Sequence, residues 1–222
     1  MAMKVKIRDG NLASKRTPGR PRSERARHAI LDSTLEFLEQ KENGFADLTI
    51  EQVAARAGVG KATVYRWWPT KAALVADAFA SSVTQKLRFP DTGSVCDDMT
   101  QQMRQLVKIL RSRRGRIVSA ILGAGQSDGT LLIAFRERFL KPRRAEAYAT
   151  LLRGVERGEL PGDLDFDHLL DALYGPIYMR FLIRHSALTE AFVDQQCKLV
   201  LQRTLPSATA ATQGSFSKAS GK

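Results

Sequence analysis

The chain has 222 residues, with 35 Lys or Arg against 23 Asp or Glu, a formal net charge of +12. This suits one compact domain or a small domain joined to a larger one, and a 43% hydrophobic content supports a real core. The charge favours a polyanionic partner. The two cysteines, Cys96 and Cys197, lack any CxxC neighbour and exclude a zinc finger, and no apolar run is long enough to span a bilayer.

The N-terminus is basic without the apolar core of a signal peptide, so the expectation is a soluble, reduced, cytoplasmic protein with no membrane partner. Residues 1–23 read as a flexible basic arm. Between Lys4 and Arg27 nine basic residues face only Asp9 and Glu24, which places +7 of the charge there. Within the arm, Thr17-Pro18-Gly19-Arg20-Pro21-Arg22 resembles an AT-hook core. Narrow A·T minor grooves concentrate negative potential and admit Arg side chains, so Arg20 and Arg22 are candidate DNA contacts. A merely solubilising arm is the other reading.

Nearly everything after the arm reads helical, and the fold class expected is all-α. Arg25 to Gln40 sets Ala26, Ile30, Leu35 and Phe37/Leu38 on an apolar stripe, and Asn43-Gly44 ends it. Thr49 caps a second helix to about Ala57, with Gln52 completing a capping box. Lys61–Trp68 is a third helix, stopped by Pro69, and Lys71 to about Leu87 is a fourth. After a break at Phe89-Pro90-Asp91-Thr92-Gly93, six periodic segments follow: Val95–Arg111, Arg114–Leu122, Thr130–Phe139, Arg143–Arg157, Phe166–Ile183 and Thr189–Leu205. Gly175-Pro176 is expected to interrupt and bend the fifth of these. Residues 206–222, rich in Ser, Ala, Thr and Gly, read as a disordered tail. The division expected is therefore an arm (1–23), a helix-turn-helix domain (24–70), a regulatory and dimerisation domain (71–205) and a tail.

Two short helices around a glycine turn form a unit that lays its second helix in the DNA major groove. Gly58 can take the positive φ the tight link needs. Val53, Ala54, Val59, Val64 and Trp68 are the expected small core. Val64 and Trp68 are four apart and share one face, which turns Lys61, Ala62, Tyr65 and Arg66 outward, with Thr63 at the boundary. Lys61 and Arg66 can donate to guanine edges or phosphates, and Ala62 and Thr63 permit close approach and contact with a thymine methyl. Tyr65 presents a hydroxyl suited to phosphate, Lys71 can reach the backbone, and the amides near Thr49 to Gln52 offer a phosphate clamp. Trp67 either covers hydrophobic surface or packs on the sugar-phosphate backbone.

These residues carry a resemblance. Arg27–Leu74 resembles the DNA-binding domain of TetR-family transcriptional regulators, through the Thr49–Ala57 helix, the Gly58-Val59-Gly60 turn, the run Lys61 to Trp68, and Pro69-Thr70-Lys71 with Leu74. Carried over, the start of the family's recognition helix falls at Gly60 to Thr63, its tyrosine at Tyr65 and the lysine opening its fourth helix at Lys71. Gly60 stands where many relatives use a capping serine, and Trp67 where histidine or arginine is common. Leu151 to Pro161 and Leu173 to Arg180 resemble the C-terminal domain of one common subgroup. The resemblance implies a homodimeric repressor of double-stranded DNA, released from a palindromic operator by a small-molecule effector.

In the last two helices the resemblance implies pairing with a second copy, with Leu170, Leu173, Ile177, Phe181, Phe192, Leu199 and Val200 as candidate interface residues. Met103, Leu106, Leu110, Ile117, Ile121, Tyr174 and Tyr178 are candidates for lining an effector pocket, since Tyr supplies an apolar body with a polar tip. Each of these residues serves equally as ordinary core. His28, His168 and His185 are isolated, and no metalloprotease, nucleophile-elbow, phosphate-loop or dinucleotide motif occurs, so no catalytic residue, metal or cofactor is expected. Asp163, Asp165 and Asp167 suit helix capping better than metal capture. A weakly specific architectural DNA-binding protein, and a helical adaptor without effector response, are the alternatives.

Overall fold

A computed structural model of the chain describes residues 20–40 and 44–204, with side-chain surroundings for 24–40 and 45–201. All regular structure among these is helical. The N-terminal part comprises α1 (Arg20–Gln40), a single turn α2 (Gly44–Asp47), α3 (Ile50–Arg56) and α4 (Lys61–Trp67). The body holds α5 (Lys71–Val83), α6 (Val95–Leu110), α7 (Arg113–Gly125), α8 (Gly129–Phe135), α9 (Lys141–Glu156), α10 (Phe166–Ile183) and α11 (Glu190–Thr204). A 3₁₀ turn, Thr84–Leu87, extends α5, and a π turn, Arg136–Leu140, joins α8 to α9.

The helix starts follow from local chemistry. Thr70, Ser94, Ser112, Asp128 and Asp165 each accept the backbone N–H of the second or third residue of the following helix, satisfying a donor that has no intrahelical partner. Asp165 thus caps α10, as its position suggested. Helix α5 is buried on most of its circumference, with Leu74, Val75, Ala76 and Phe79 at 1% exposure or less. It packs on α1 at one side and on α8 and the π turn at the other, and so belongs to both halves of the core. Helices α9, α7 and α11 surround α6, while α10 covers α11.

The break at residues 89–94 is fixed by a buried carboxylate. Asp98 is fully buried, and its Oδ1 accepts from the Thr92 amide at 2.8 Å and hydroxyl at 2.7 Å. Glu159 Oε2 accepts from the Val95 amide at 2.7 Å, and Arg153 reaches the Pro90 carbonyl at 3.4 Å. Across the same contact a Cβ on Gly154 would meet Val95 Cβ at 2.9 Å, so the close packing of α9 on α6 requires glycine there.

Four expectations need correction. Helix α1 begins at Arg20, five residues earlier than its apolar stripe, so Arg20 and Arg22 lie on helical backbone rather than in the arm; the rest of the arm lies outside the described residues, as does the tail. The α2 turn was not foreseen. The gap expected near residues 140–142 is closed, because the π turn bonds the Lys141 amide to the Arg136 carbonyl and takes up Pro142, which has no N–H to give. Helix α10 is not interrupted at Gly175-Pro176 but runs through to Ile183, ending on Arg184 in the left-handed region at φ 57°.

Candidate DNA-reading face and body cavity

Helix α3 opens on the expected capping box. The Thr49 hydroxyl accepts from the Gln52 amide at 3.3 Å, and Gln52 Oε1 accepts from the Thr49 amide at 3.0 Å. Those two amides are therefore engaged, and the clamp drawn from Thr49 to Gln52 reduces to the N–H groups of Ile50 and Glu51. Gly58 takes φ +66°, which carries the chain into α4. Gly60 caps α4 without a side chain.

Val53, Ala54, Val64 and Trp68 are each at most 3% exposed, and Val59 packs against them. Burying Val64 and Trp68 stabilises this crossing by about 1.5–3 kcal/mol per side chain. The opposite face of α4 is exposed at Lys61, Ala62, Tyr65 and Arg66, with Thr63 half-buried, as the spacing requires. Trp67 is half-buried with its ring 6.2 Å from that of Trp68. Its Nε1 is buried without a hydrogen-bond partner among the described residues, so this indole packs on the protein.

Four contacts here were not legible in advance. Lys61 Nζ lies 2.7 Å from Glu51 Oε1, and its ammonium holds the Glu51 carboxyl below the usual carboxylate range. Lys71 Nζ donates to the Phe45 carbonyl at 2.9 Å and sits 4.5 Å from the Phe45 ring centre, on the α2 turn. Trp68 Nε1 donates to Asp77 Oδ2 at 2.7 Å, and Arg138 Nη1 donates to the same oxygen at 2.6 Å. Asp77, on α5, thereby links the end of α4 to the π turn of the body.

That π turn also borders a cavity. Its volume is about 250 Å³, with a largely apolar wall that includes Leu87, Phe89, Leu106, Phe139, Leu140 and Leu170. The polar lining is Gln102, Tyr174 and Tyr178, with Arg143, Arg144 and Asp171. Tyr174 donates to Gln102 Oε1 at 2.5 Å. Burial pushes the Tyr178 phenol up to about 12 and Tyr174 well above its ordinary value. Both arginines are paired: Arg143 with Glu146, Arg144 with Asp167 and, at 2.9 Å, with Asp171.

Of the residues proposed to line a pocket, Leu106, Tyr174 and Tyr178 come together in this cavity. Met103, Ile117 and Ile121 are core, and Leu110 borders a separate depression. Among the interface candidates, Leu170, Leu173 and Ile177 are buried within the subunit at 1% exposure or less, so they hold α10 to its own body, and Leu170 reaches the cavity. Phe181 and Val200 pack against the core, and Phe192 does so beneath the Arg180 guanidinium, 3.6 Å from its ring centre. Leu199 is exposed, together with Met179, Leu182 and Ile183. Gln102 was also missed. Its signal was a polar side chain on the i, i+3, i+4 stripe of Met99, Met103 and Leu106.

An exposed recognition helix on a small helical core, mounted on a larger helical body, defines a helix-turn-helix transcriptional regulator. Comparison with known proteins agrees over nearly the whole described chain. Residues 30–78 match the family model of bacterial regulatory proteins of the tetR family, and residues 89–200 match that of the tetracyclin repressor-like C-terminal domain. YdeS of Bacillus subtilis, an uncharacterized HTH-type transcriptional regulator, is 41% identical over 79% of this chain and 87% of its own. The crystal structure of the TetR-family transcription regulator SCO0332 superposes with a TM-score of 0.72 at 37% identity, covering 82% of this chain and 99% of the other. The DNA-binding transcriptional repressor TetR of Mycobacteroides abscessus is 28% identical over 78% of this chain and 90% of its own. The chain belongs to the TetR family of DNA-binding transcriptional regulators. No helix among the described residues is long and apolar enough to cross a membrane.

Proposed function

We infer that the protein is a homodimeric repressor that leaves a near-palindromic operator when a small molecule enters the body cavity. The observation that carries this reading is the outward face of α4, where Lys61, Ala62, Tyr65 and Arg66 project from a helix pinned by Val64 and Trp68. Arg66 and Lys61 read base edges or phosphates, and Tyr65 and Lys71 hold the backbone. Lys71 gives one N–H to Phe45 and keeps two for phosphate. Arg20 and Arg22, at the start of α1, add minor-groove or phosphate contacts.

Dimerisation uses α10 and α11. Met179, Leu182 and Ile183 are spaced i, i+3, i+4 on α10 and are 56%, 44% and 62% exposed, and α11 adds Leu199 at 52%. Two copies joined there place their recognition helices in major grooves separated by a helical turn or a multiple of it. The route from cavity to DNA is short. Phe139 and Leu140 line the cavity, Arg138 in the same π turn bonds Asp77, and Asp77 bonds Trp68. A ligand that displaces the π turn shifts the population of α4 orientations away from the one that fits DNA. The name of the Mycobacteroides abscessus relative supports repression as the sign of control.

The test is selection of fragments from the source genome by purified protein, followed by gel shifts on the enriched site and a scrambled one. A palindromic consensus bound by the dimer is expected, with Arg66→Ala weakening binding about 10-fold or more and relaxing base preference. No enrichment at any salt concentration overturns the reading. A specificity ratio near unity replaces it with the architectural alternative.

A further inference from the structure

The geometry points to an uncharged, mainly apolar ligand whose hydrogen-bond-accepting oxygen meets Gln102 and Tyr178 in the body cavity. This deepens the effector reading above and rests on the cavity being its site.

The charged groups of the lining are already satisfied. Every charge in the lining has a partner of opposite sign: Arg143 is paired with Glu146, and Arg144 with Asp167 and Asp171. Arg143 also gives Nη1 to the Thr84 and Leu87 carbonyls at 3.5 and 3.4 Å. An anionic ligand would share guanidinium groups that already have carboxylate partners, and a cationic one would compete with Arg144 for Asp171. Neither exchange improves on what is present.

The unsatisfied groups are neutral. Gln102 is 3% exposed, and its amide oxygen accepts from Tyr174 while its amide nitrogen has no partner among the described residues. The Tyr178 hydroxyl likewise has none, and both residues line the cavity. Should the Gln102 amide be turned about, Tyr174 would accept instead, and its own hydroxyl proton would be the free one. In either arrangement the cavity presents at least two donor groups from Gln102, Tyr174 and Tyr178, on α6 and α10. Burial holds Tyr178 protonated up to about pH 12, so it donates throughout the physiological range. These groups are reachable from the cavity, and a carbonyl or ether oxygen placed there accepts from them. The apolar remainder of the ligand lies against Phe89, Phe139, Leu106 and Leu170.

Two matched probe series test this on the full chain without DNA, by calorimetry and thermal shift. One is 2-acetylnaphthalene, 2-naphthoate, 2-naphthylmethylamine and 2-ethylnaphthalene. The other is 2-decanone, decanoate, decylamine and decane. In at least one series the ketone is expected to bind about 10-fold tighter than its charged and hydrocarbon counterparts. Tyr178→Phe and Gln102→Met should each weaken the ketone about 3- to 10-fold, the worth of one neutral hydrogen bond, and leave the hydrocarbon unchanged. Tighter binding of either carboxylate or amine, failure of both ketones to bind at their solubility limits, or equal loss for ketone and hydrocarbon in the variants overturns the proposal. Because the readout involves no operator, such a failure is separate from failure of the repressor reading, which the genomic selection decides.

Discussion

The oxygen shared by Trp68 and Arg138 invites a direct perturbation. Asp77→Ala leaves the Trp68 Nε1–H, on an indole that is 1% exposed, without its acceptor. A buried donor stripped of its partner costs about 1–3 kcal/mol. The ion pair with Arg138 adds less. Its side chains are 35% and 20% exposed, so solvent screening holds its contribution to about 1 kcal/mol or below. Together they give a loss of about 1–4 kcal/mol in unfolding free energy, measurable by urea titration. The sharper measurement is a double-mutant cycle with Trp68→Phe, which keeps an aromatic ring in the site and removes the donor. A coupling energy of about 1 kcal/mol or more is expected between positions 68 and 77, with operator affinity falling alongside because Trp68 sets the seat of α4. If the two substitutions add without coupling, or if operator affinity survives Asp77→Ala unchanged, the link from body to recognition helix does not operate and the reasoning fails.

Other expectations follow from the same geometry. Glu51→Gln removes the carboxylate that holds Lys61, 2.7 Å away on the exposed face; DNA affinity should rise a few-fold, and the slope of log K against log salt should steepen by up to about 0.9, as one more phosphate is neutralised. An unchanged slope in filter-binding titrations would mean that Lys61 already faces phosphate in the complex. Ile183→Asp places a charge on the exposed apolar strip of α10; sedimentation should report monomers, and affinity for a full palindrome should drop at least about 10-fold. A dimer that persists would move the interface elsewhere. Tyr178 carries a folded-state value of about 12 against an ordinary 10.0, so the folded state holds its proton longer than the unfolded one. Its contribution is complete below pH 10 and is lost as pH rises toward 12. Unfolding free energy should fall over that window, and the fall should be shallower in Tyr178→Phe; identical slopes would place this hydroxyl in water.

Much of the DNA-reading half was legible in the sequence because its signals are local. A capping threonine with its glutamine, a glycine at positive φ and a Val/Trp pair four residues apart each act within one turn of backbone. The outward direction of Lys61, Tyr65 and Arg66 follows from those alone. Trp67 was ambiguous because half-burial of an indole depends on what its neighbour does. The body was less legible. Apolar residues on α10 give no indication of whether they face their own subunit or another, and Leu170, Leu173 and Ile177 proved to face inward while Met179, Leu182 and Ile183 did not. Most pairings that shape the cavity span 20 or more residues, among them Tyr174 with Gln102 and Arg144 with Asp171, and no local period encodes them.

The π turn shows why the two halves have to be read together. Pro142 lacks an N–H and its ring crowds the carbonyl four residues back, which disfavours an unbroken α-helix. The chain instead widens to a π turn just before it, and the extra residue rotates the side chains of Arg136–Leu140 relative to an unbroken α-helix. That one turn carries Arg138 toward Asp77 and Phe139 toward both Phe79, 5.0 Å away between ring centres, and the cavity. The π turn before Pro142 thus lies between the cavity and the aspartate that bonds Trp68. Substituting Pro142 by Ala, which permits a regular helix, should weaken the response of operator binding to a cavity ligand more than it alters the affinity for DNA itself. Equal effects on both in gel shifts would reduce the π turn to packing.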